Sequence, residues 1–298
     1  MFRLHGIYAP IATPFVDDKI AYDKLEANLQ FWLESKMAGI VVMGSNGEFV
    51  LLEQEEKERL ISFCCEKFAG KKPVIAGTAA ESTRETIRLS RKAAAAGADA
   101  VLVVTPSYYK GSYNDAALKK YFFDVADACP IPVILYNMPR NTGINMSSKL
   151  VAELATHPNI IGIKDSSGNI VQIAEIIRNA PPEFAVFAGS ASFLLPSLVL
   201  GAKGGTLALA NVFPNQCAEV QEYFEAGHLE AAREMQLRLL EINAAVTTRW
   251  GVAGLKAAMD LVGLYGGHPR LPLLPLGEAE KQELKAILAR TGFVTGLK

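Results

Sequence analysis

Short apolar runs recur along the chain, near residues 6–12, 39–44, 73–78, 100–105, 131–136, 159–164, 184–189 and 204–209, and each has the length of a buried strand. Between them, segments 53–68, 82–96, 114–128, 147–156 and 170–179 are long enough for crossover helices. Strands alternating with helices predict a parallel sheet buried on both faces, and eight such units close into a (β/α)8 TIM barrel of the α/β class. A doubly wound sheet is the rival. Its dinucleotide fingerprint is missing, because residues 9–15 after the first run contain no glycine. Beyond residue 214 the strand-like runs stop, and 219–245, 252–261 and 277–290 read as helices. The expected organisation is a barrel domain over 1–214 and a C-terminal helical region over 215–298 that braces the barrel or packs against another subunit.

Half of the 298 residues are hydrophobic (50%) and 20% are charged, enough for a large core. The formal net charge is -1, with Lys and Arg scattered, so the electrostatic footprint of a nucleic-acid binder is absent and small-molecule chemistry is expected. The opening Met1-Phe2-Arg3-Leu4-His5-Gly6 lacks the apolar core of a secretory signal, and no stretch reaches the roughly 18 apolar residues of a membrane span. No membrane partner is expected, and a cytoplasmic location is. Cys64, Cys65, Cys129 and Cys217 show no metal spacing and read as reduced structural thiols. His5, His157, His228 and His268 lie far apart without a paired zinc motif, so no metal site is expected and a metal-dependent aldolase is disfavoured.

Candidate chemistry sits where strands end, because barrel active sites form at the C-terminal edge of the strands. In the run Ile160-Ile161-Gly162-Ile163-Lys164, alternation places Gly162 and Lys164 on one face and Ile161, Ile163 and Asp165 on the other. An amine held in an apolar interior loses solvation of its charged form, which lowers its pKa and frees it to attack a carbonyl. The competing reading is a solvated lysine, or one paired with the adjacent Asp165. The other edges bring Thr13, Gly44-Ser45-Asn46-Gly47-Glu48, Thr78, Thr105 to Tyr109, Tyr136-Asn137, Gly189-Ser190 and Thr206 to the same end. Two glycines let the 44–48 turn point backbone N–H groups at an anion, although the Gly-Lys-Ser/Thr of a P-loop is missing. Tyr136 shares a face with Ile134, which sets a phenol one strand from Lys164; the alternative is a tyrosine that merely packs with a hydrogen-bond partner. Ser45 and Tyr108 are candidates for a proton relay.

Taken together, these residues resemble the family of dihydrodipicolinate synthase and N-acetylneuraminate lyase, class I pyruvate-dependent aldolases on a (β/α)8 barrel. The resemblance runs nearly the full length, through Ala12-Thr13-Pro14-Phe15, Gly-Ser-Asn-Gly-Glu at 44–48, Val104-Thr105-Pro106, Tyr136-Asn137-Met138-Pro139, Ile163-Lys164-Asp165 and Ala210-Asn211-Val212. It implies that Lys164 forms the Schiff base with a 2-oxo acid and that Tyr136 shuttles protons. It further implies that Ser45 and Asn46 serve the relay and hold the substrate carboxylate. Tyr108, or Tyr109 in a shifted register, then completes the relay across a subunit interface. No cofactor beyond the covalent lysine imine is implied; the partners are pyruvate or another 2-oxo acid and further copies of the chain, as a homodimer or homotetramer.

Departures from the synthase pattern shape the expected substrate. Synthases of this family carry two threonines where Ser45 and Asn46 stand, and an arginine for the aldehyde's carboxylate where Asn141 stands, with Arg140 one residue earlier. Meanwhile 44–49, Asn141-Thr142-Gly143, Lys164-Asp165-Ser166, 187–193 and 242–247 resemble 4-hydroxy-2-oxoglutarate aldolase, which releases pyruvate and glyoxylate. That cleavage is the leading expectation, with Ser166 against the leaving half and Gly189 and Thr206 completing the substrate-binding set. Condensation of pyruvate with aspartate semialdehyde is the alternative, and a 2-oxo acid binding protein without turnover is the non-enzymatic one. Phe49, Gln54 and Lys57, at positions resembling the synthases' regulatory cleft, predict no inhibition by lysine.

Overall fold

The computed structural model describes residues 2–294. Its strands are β1 (Gly6–Pro10), β2 (Phe15–Val16), β3 (Lys19–Ile20), β4 (Gly39–Val42), β5 (Val74–Gly77), β6 (Ala100–Val104), β7 (Val133–Asn137), β8 (Ile160–Asp165), β9 (Ala185–Ala188) and β10 (Gly204–Thr206). All but β2 and β3, which make a small antiparallel hairpin, close into one barrel of parallel strands in the order β1-β10-β9-β8-β7-β6-β5-β4. Each of the eight apolar runs is thus a barrel strand, most of them trimmed at the ends where the chain leaves the ladder. The last run stops at Thr206 because Ala208–Asn211 turns into a short 3-10 helix. Buried Asn211 staples that turn to the first strand, donating to Pro10 O at 3.0 Å and accepting from Ala12 N at 3.1 Å.

Apolar side chains pack in two layers. Outward-facing residues such as Ile40, Val42, Val101, Val103 and Ile163 meet the surrounding helices, while Tyr8, Val41, Ile75, Leu102, Ile134 and Phe187 fill the barrel itself. This two-faced burial is why the strands read as continuous apolar runs. The expected crossovers appear as Gln54–Phe68, Thr83–Ala95, Asp115–Ala128, Ser148–Leu154 and Ile170–Asn179, joined by Tyr22–Glu34 and Leu194–Leu200. Ser82, Asn114, Ser147 and Asn169 cap four of them by accepting from a first-turn N–H, which fixes where each helix begins.

Two expectations need correction. Alternation placed Ile161 with Ile163 on the outer face, but the β7 and β8 register slips after Val133 pairs with Ile160, so Ile134 pairs with Gly162. Ile161 becomes the extra residue of a bulge and packs half-buried against the interior cluster. The single tail helix expected over 219–245 is two, Pro214–Glu225 and Leu229–Ala244, parted at Gly227, whose φ of 78° lies in the left-handed region. The second runs into a π-helical turn, Ala245–Arg249, followed by Gly251–Leu261 and, later, Glu278–Thr291. All four cysteines are buried and free. Among the described residues no helix is long and apolar enough to cross a membrane.

Candidate active site

Past the bulge the β7 and β8 register is regular, and it sets Tyr136 opposite Lys164 and Asn137 opposite Asp165. Tyr136 and Lys164 both point into the barrel and are 4% and 3% exposed, so both polar ends are withdrawn from bulk water. Lys164 Nζ lies 4.0 Å from the centroid of the Tyr136 ring. The competing reading of a lysine paired with Asp165 does not hold. Asp165 faces the other side of the strand, where its carboxylate accepts from Asn137 Nδ2 at 2.8 Å, Gln172 Nε2 at 3.3 Å, and the amide and hydroxyl of Ser167. Asn145 accepts from the same Asn137 amide at 2.8 Å, so the outer face of these two strand ends is a closed polar network.

The third member comes from the turn after β4. Ser45 Oγ is 3.4 Å from Tyr136 Oη. Burial alone pushes the Tyr136 phenol up, but the Lys164 charge, helped by Ser45 and Ser166, more than offsets it and holds the phenol below the usual tyrosine range. The turn is bent by two non-glycine residues in left-handed conformation, Met43 (φ 60°) and Glu48 (φ 57°), each costing of order 1–3 kcal/mol. Gly47 sits inside it, and Thr13 Oγ1 donates to Gly47 O at 2.8 Å, tying the turn to the residues after β1.

Ser166 and Gly189 meet beside Lys164. An added Cβ at Gly189 would lie 1.9 Å from Ser166 Oγ and 2.7 Å from Asp165 O, so only glycine permits this approach of the β8 and β9 ends. Thr206 is buried and in register with Tyr8, whose ring lies within the barrel, at the end of β10, two strands from Lys164. Asn46 is half-exposed beside Ser45. Above them opens a cavity of about 730 Å³, lined in part by Ser45, Asn141, Thr105, Ser107 and Leu273.

Two sequence-predicted residues are not brought to Lys164 within the single chain. Tyr108 is 78% exposed and stacks edge-on against Tyr109 with centroids 5.0 Å apart. Arg140 is exposed and donates to Thr248 O at 3.0 Å, so its guanidinium is turned to the tail. Asn137 and Glu48 were placed at the strand ends from the sequence but given no role, and Lys256 was not singled out. Glu48 and Lys256 form an ion pair of 2.5 Å with neither side chain exposed. The signal for Lys256 was a lone cation on the apolar stretch Leu255 to Met259; for Asn137 there was none beyond its place after Tyr136. Among the described residues no group of three or more His, Cys, Asp or Glu is arranged to hold a metal ion.

Comparison with known proteins bears on this geometry. The profile of the dihydrodipicolinate synthetase family matches residues 3–291. A 4-hydroxy-tetrahydrodipicolinate synthase of Methanoculleus marisnigri is 40% identical over 291 residues, covering 96% of this chain and 99% of its own. The enzyme of that name from Caldicellulosiruptor bescii is 38% identical over 294 residues, covering 98% of both. The crystal structure of dihydrodipicolinate synthase from Aquifex aeolicus superposes with a TM-score of 0.94 at 31% identity, covering 99% of this chain and 100% of that one.

Proposed function

The chain belongs to the dihydrodipicolinate synthetase family, lyases that work on pyruvate through a lysine imine, and from that premise we propose that it joins pyruvate to aspartate semialdehyde, as a 4-hydroxy-tetrahydrodipicolinate synthase does. One observation carries the chemistry: a buried amine and a buried phenol are register partners inside the barrel, 4.0 Å apart from nitrogen to ring centroid. Lys164 Nζ attacks C2 of pyruvate, the carbinolamine loses water, and the iminium draws electrons from C3. Loss of a C3 proton gives an enamine whose C3 bonds to the aldehyde carbon while the aldehyde oxygen takes a proton; the semialdehyde's own amine then displaces Lys164 from C2, closing the ring and freeing the lysine. Tyr136 carries the protons, relayed through Ser45, and its depressed pKa suits it to accept one. The 2-oxo acid's carboxylate is assigned to the turn at Ser45 and Asn46, where fixed backbone donors orient it without reorganisation.

The names of the relatives support aspartate semialdehyde as the second substrate. A specific observation favours a second reading, cleavage of 4-hydroxy-2-oxoglutarate to pyruvate and glyoxylate. Asn141, not an arginine, lines the cavity, while Arg140 is engaged at Thr248 O, so the site offers no guanidinium fork to a semialdehyde's carboxylate. In that direction the C3–C4 bond breaks, the iminium takes its electron pair, and Tyr136 removes the 4-hydroxyl proton. Ser166 and Gly189, pressed together beside Lys164, are assigned to the aldehyde half in both readings. Tyr108 is assigned to the relay of a neighbouring copy, in a homodimer or homotetramer, which fits an aromatic pair standing 78% and 66% exposed.

Borohydride reduction in the presence of pyruvate tests the chemistry. A stable adduct on Lys164, lost in Lys164→Ala, is expected; an unmodified wild-type lysine overturns it. Turnover of pyruvate plus aspartate semialdehyde, measured beside cleavage of 4-hydroxy-2-oxoglutarate, decides the second substrate by comparison of kcat/KM.

A further inference from the structure

The turn that carries Ser45 and Asn46 is bracketed by left-handed residues that are not glycine, Met43 and Glu48. Such a turn persists only where its surroundings over-determine it. What surrounds it comes from the tail, more than two hundred residues away in sequence. Glu48 is 2% exposed. Its Oε2 accepts from Arg270 N at 2.7 Å, and its Oε1 meets the Lys256 ammonium at 2.5 Å. Lys256, with none of its side chain exposed, donates to His268 O at 3.0 Å and lies 4.4 Å from the Phe15 ring centroid. The Arg270 guanidinium lies over the same Phe15 ring, 4.3 Å from its centroid, and reaches Glu56 by two bonds and the Asp18 carboxylate by another. One strained turn, one tail helix and one tail loop therefore meet at a single carboxylate.

A fully buried ion pair is a poor device for stability alone, because desolvation of both charges offsets most of their attraction. What it gives is geometry. We infer that Glu48 and Lys256 are positioning residues for the reaction proposed above: the C-terminal helical region, through Lys256 and the Arg270 amide, pins the 44–48 turn in its left-handed bend and so sets Ser45 against Tyr136. The inference rests on the assignment of Ser45 to the relay, and it gives the tail a part in catalysis without contact to substrate. Neither Glu48 nor Lys256 touches the Lys164 amine, so the effect passes through the turn backbone.

The test uses the full chain. Glu48→Leu/Lys256→Met removes both charges together and leaves none buried alone, so folding is expected to survive, with a melting temperature near that of the wild type. The expected results are a fall of tenfold or more in kcat, a slower rate of borohydride trapping with pyruvate, and an alkaline shift of the pH limb that Ser45→Ala also moves. A variant of wild-type stability whose kcat and pH limb match those of the wild type overturns the inference. Should that variant fail to fold, Glu48→Gln/Lys256→Met keeps an acceptor for the Arg270 amide, buries no charge, and is read by the same criteria. Absence of any pyruvate adduct on wild-type Lys164 is a separate result, which removes the proposed function rather than the pinning of the turn.

Discussion

Asn137 donates to Asp165 at 2.8 Å across the β7 and β8 ends, one residue beyond the Tyr136 and Lys164 pair on the same two strands. Four donor groups surround the Asp165 carboxylate: the Asn137 and Gln172 amides on Oδ2, and the Ser167 amide and hydroxyl on Oδ1. Both oxygens must therefore accept. Asp165→Asn turns one of them into a donor that faces donors, and a buried unsatisfied group costs about 1–3 kcal/mol. The expected outcome is a loss of about 3 kcal/mol in urea unfolding, with a drop in kcat of tenfold or more as the strand ends lose their clamp. Wild-type kinetics in a destabilised variant would assign the network to folding alone.

The Tyr136 phenol gives a pH dependence of known sign. Its folded pKa is depressed, so the stability it contributes is fully present above the ordinary tyrosine range and is lost as pH falls through the depressed value. Burial opposes the depression and Lys164 leads the groups that produce it, with Ser45 among the others. Ser45→Ala thus moves the kinetic limb set by the phenol to higher pH, and lowers kcat at neutral pH by about tenfold. Tyr136→Phe, which has no proton to carry, is expected to lose about a hundredfold or more while keeping its fold. A pH–rate profile of Ser45→Ala superposable on wild type would take Ser45 out of the relay.

Much of this was legible in the chain and some was not, for physical reasons. Buried parallel strands show as apolar runs wherever they occur, so all eight barrel strands were visible, and with them the end of the barrel on which Lys164, Tyr136 and Ser45 converge. The Ile161 bulge was hidden because it is a property of two strands, arising where Val133 and Ile134 shift register against β8. Gly227 marked the break in the tail, yet one glycine in a long amphipathic stretch also fits an unbroken helix. The Glu48 and Lys256 pair leaves no period in the sequence at all, since partners so distant meet only after the tail has docked. Tyr108 was read as a site residue from its place at a strand end and from family resemblance, and its place in a single chain is on the surface.

Gly189 sits where a side chain cannot. The Cβ of an alanine there would meet Ser166 Oγ at 1.9 Å and the Asp165 carbonyl at 2.7 Å, and the carbonyl belongs to a strand that itself takes the Gly189 amide at 2.7 Å. Turning the Ser166 hydroxyl aside would not relieve the clash, because the Asp165 carbonyl and the Ser166 Cα, at 2.8 Å, are both backbone. Gly189→Ala is expected to lose about 1–3 kcal/mol through overpacking. It also displaces Ser166, so KM for the aldehyde rises more than that for pyruvate. Equal changes in the two KM values would place Gly189 outside the aldehyde side.

Lysine is expected to leave the initial rate unchanged at millimolar concentration. Phe49 and Lys57 line the same cavity as Ser45, and burial holds the Lys57 ammonium below its usual range without removing a cation from the wall. The cavity's two carboxylates are already engaged, Glu48 by Lys256 and the Arg270 amide, Glu81 by the Ser107 and Tyr108 amides and the Ser107 hydroxyl. A ligand ammonium would therefore meet the Lys57 cation beside one carboxylate already paired with Lys256 and another whose oxygens already accept from Ser107 and Tyr108. A clear inhibition curve with purified protein would mean that another surface binds it.

Asn141→Arg bears on the choice of aldehyde. Asn141 lines the cavity beside Thr142 and Met138, on the short helix Pro139–Thr142 that leaves β7, so a longer side chain at this position extends toward the space above Ser45. Arg140 cannot take the role from one residue earlier, because adjacent helical positions point about a hundred degrees apart and its guanidinium is bound to Thr248 O. A bidentate guanidinium on the semialdehyde's carboxylate is worth about 1.5–3 kcal/mol, which corresponds to a rise in kcat/KM of about tenfold or more for that substrate. The effect on 4-hydroxy-2-oxoglutarate cleavage is expected to be smaller, since that substrate already fits beside Asn141 in the second reading. Unchanged kinetics with the semialdehyde would show that position 141 does not face its carboxylate, and the synthase reading would then no longer be disfavoured by the missing arginine.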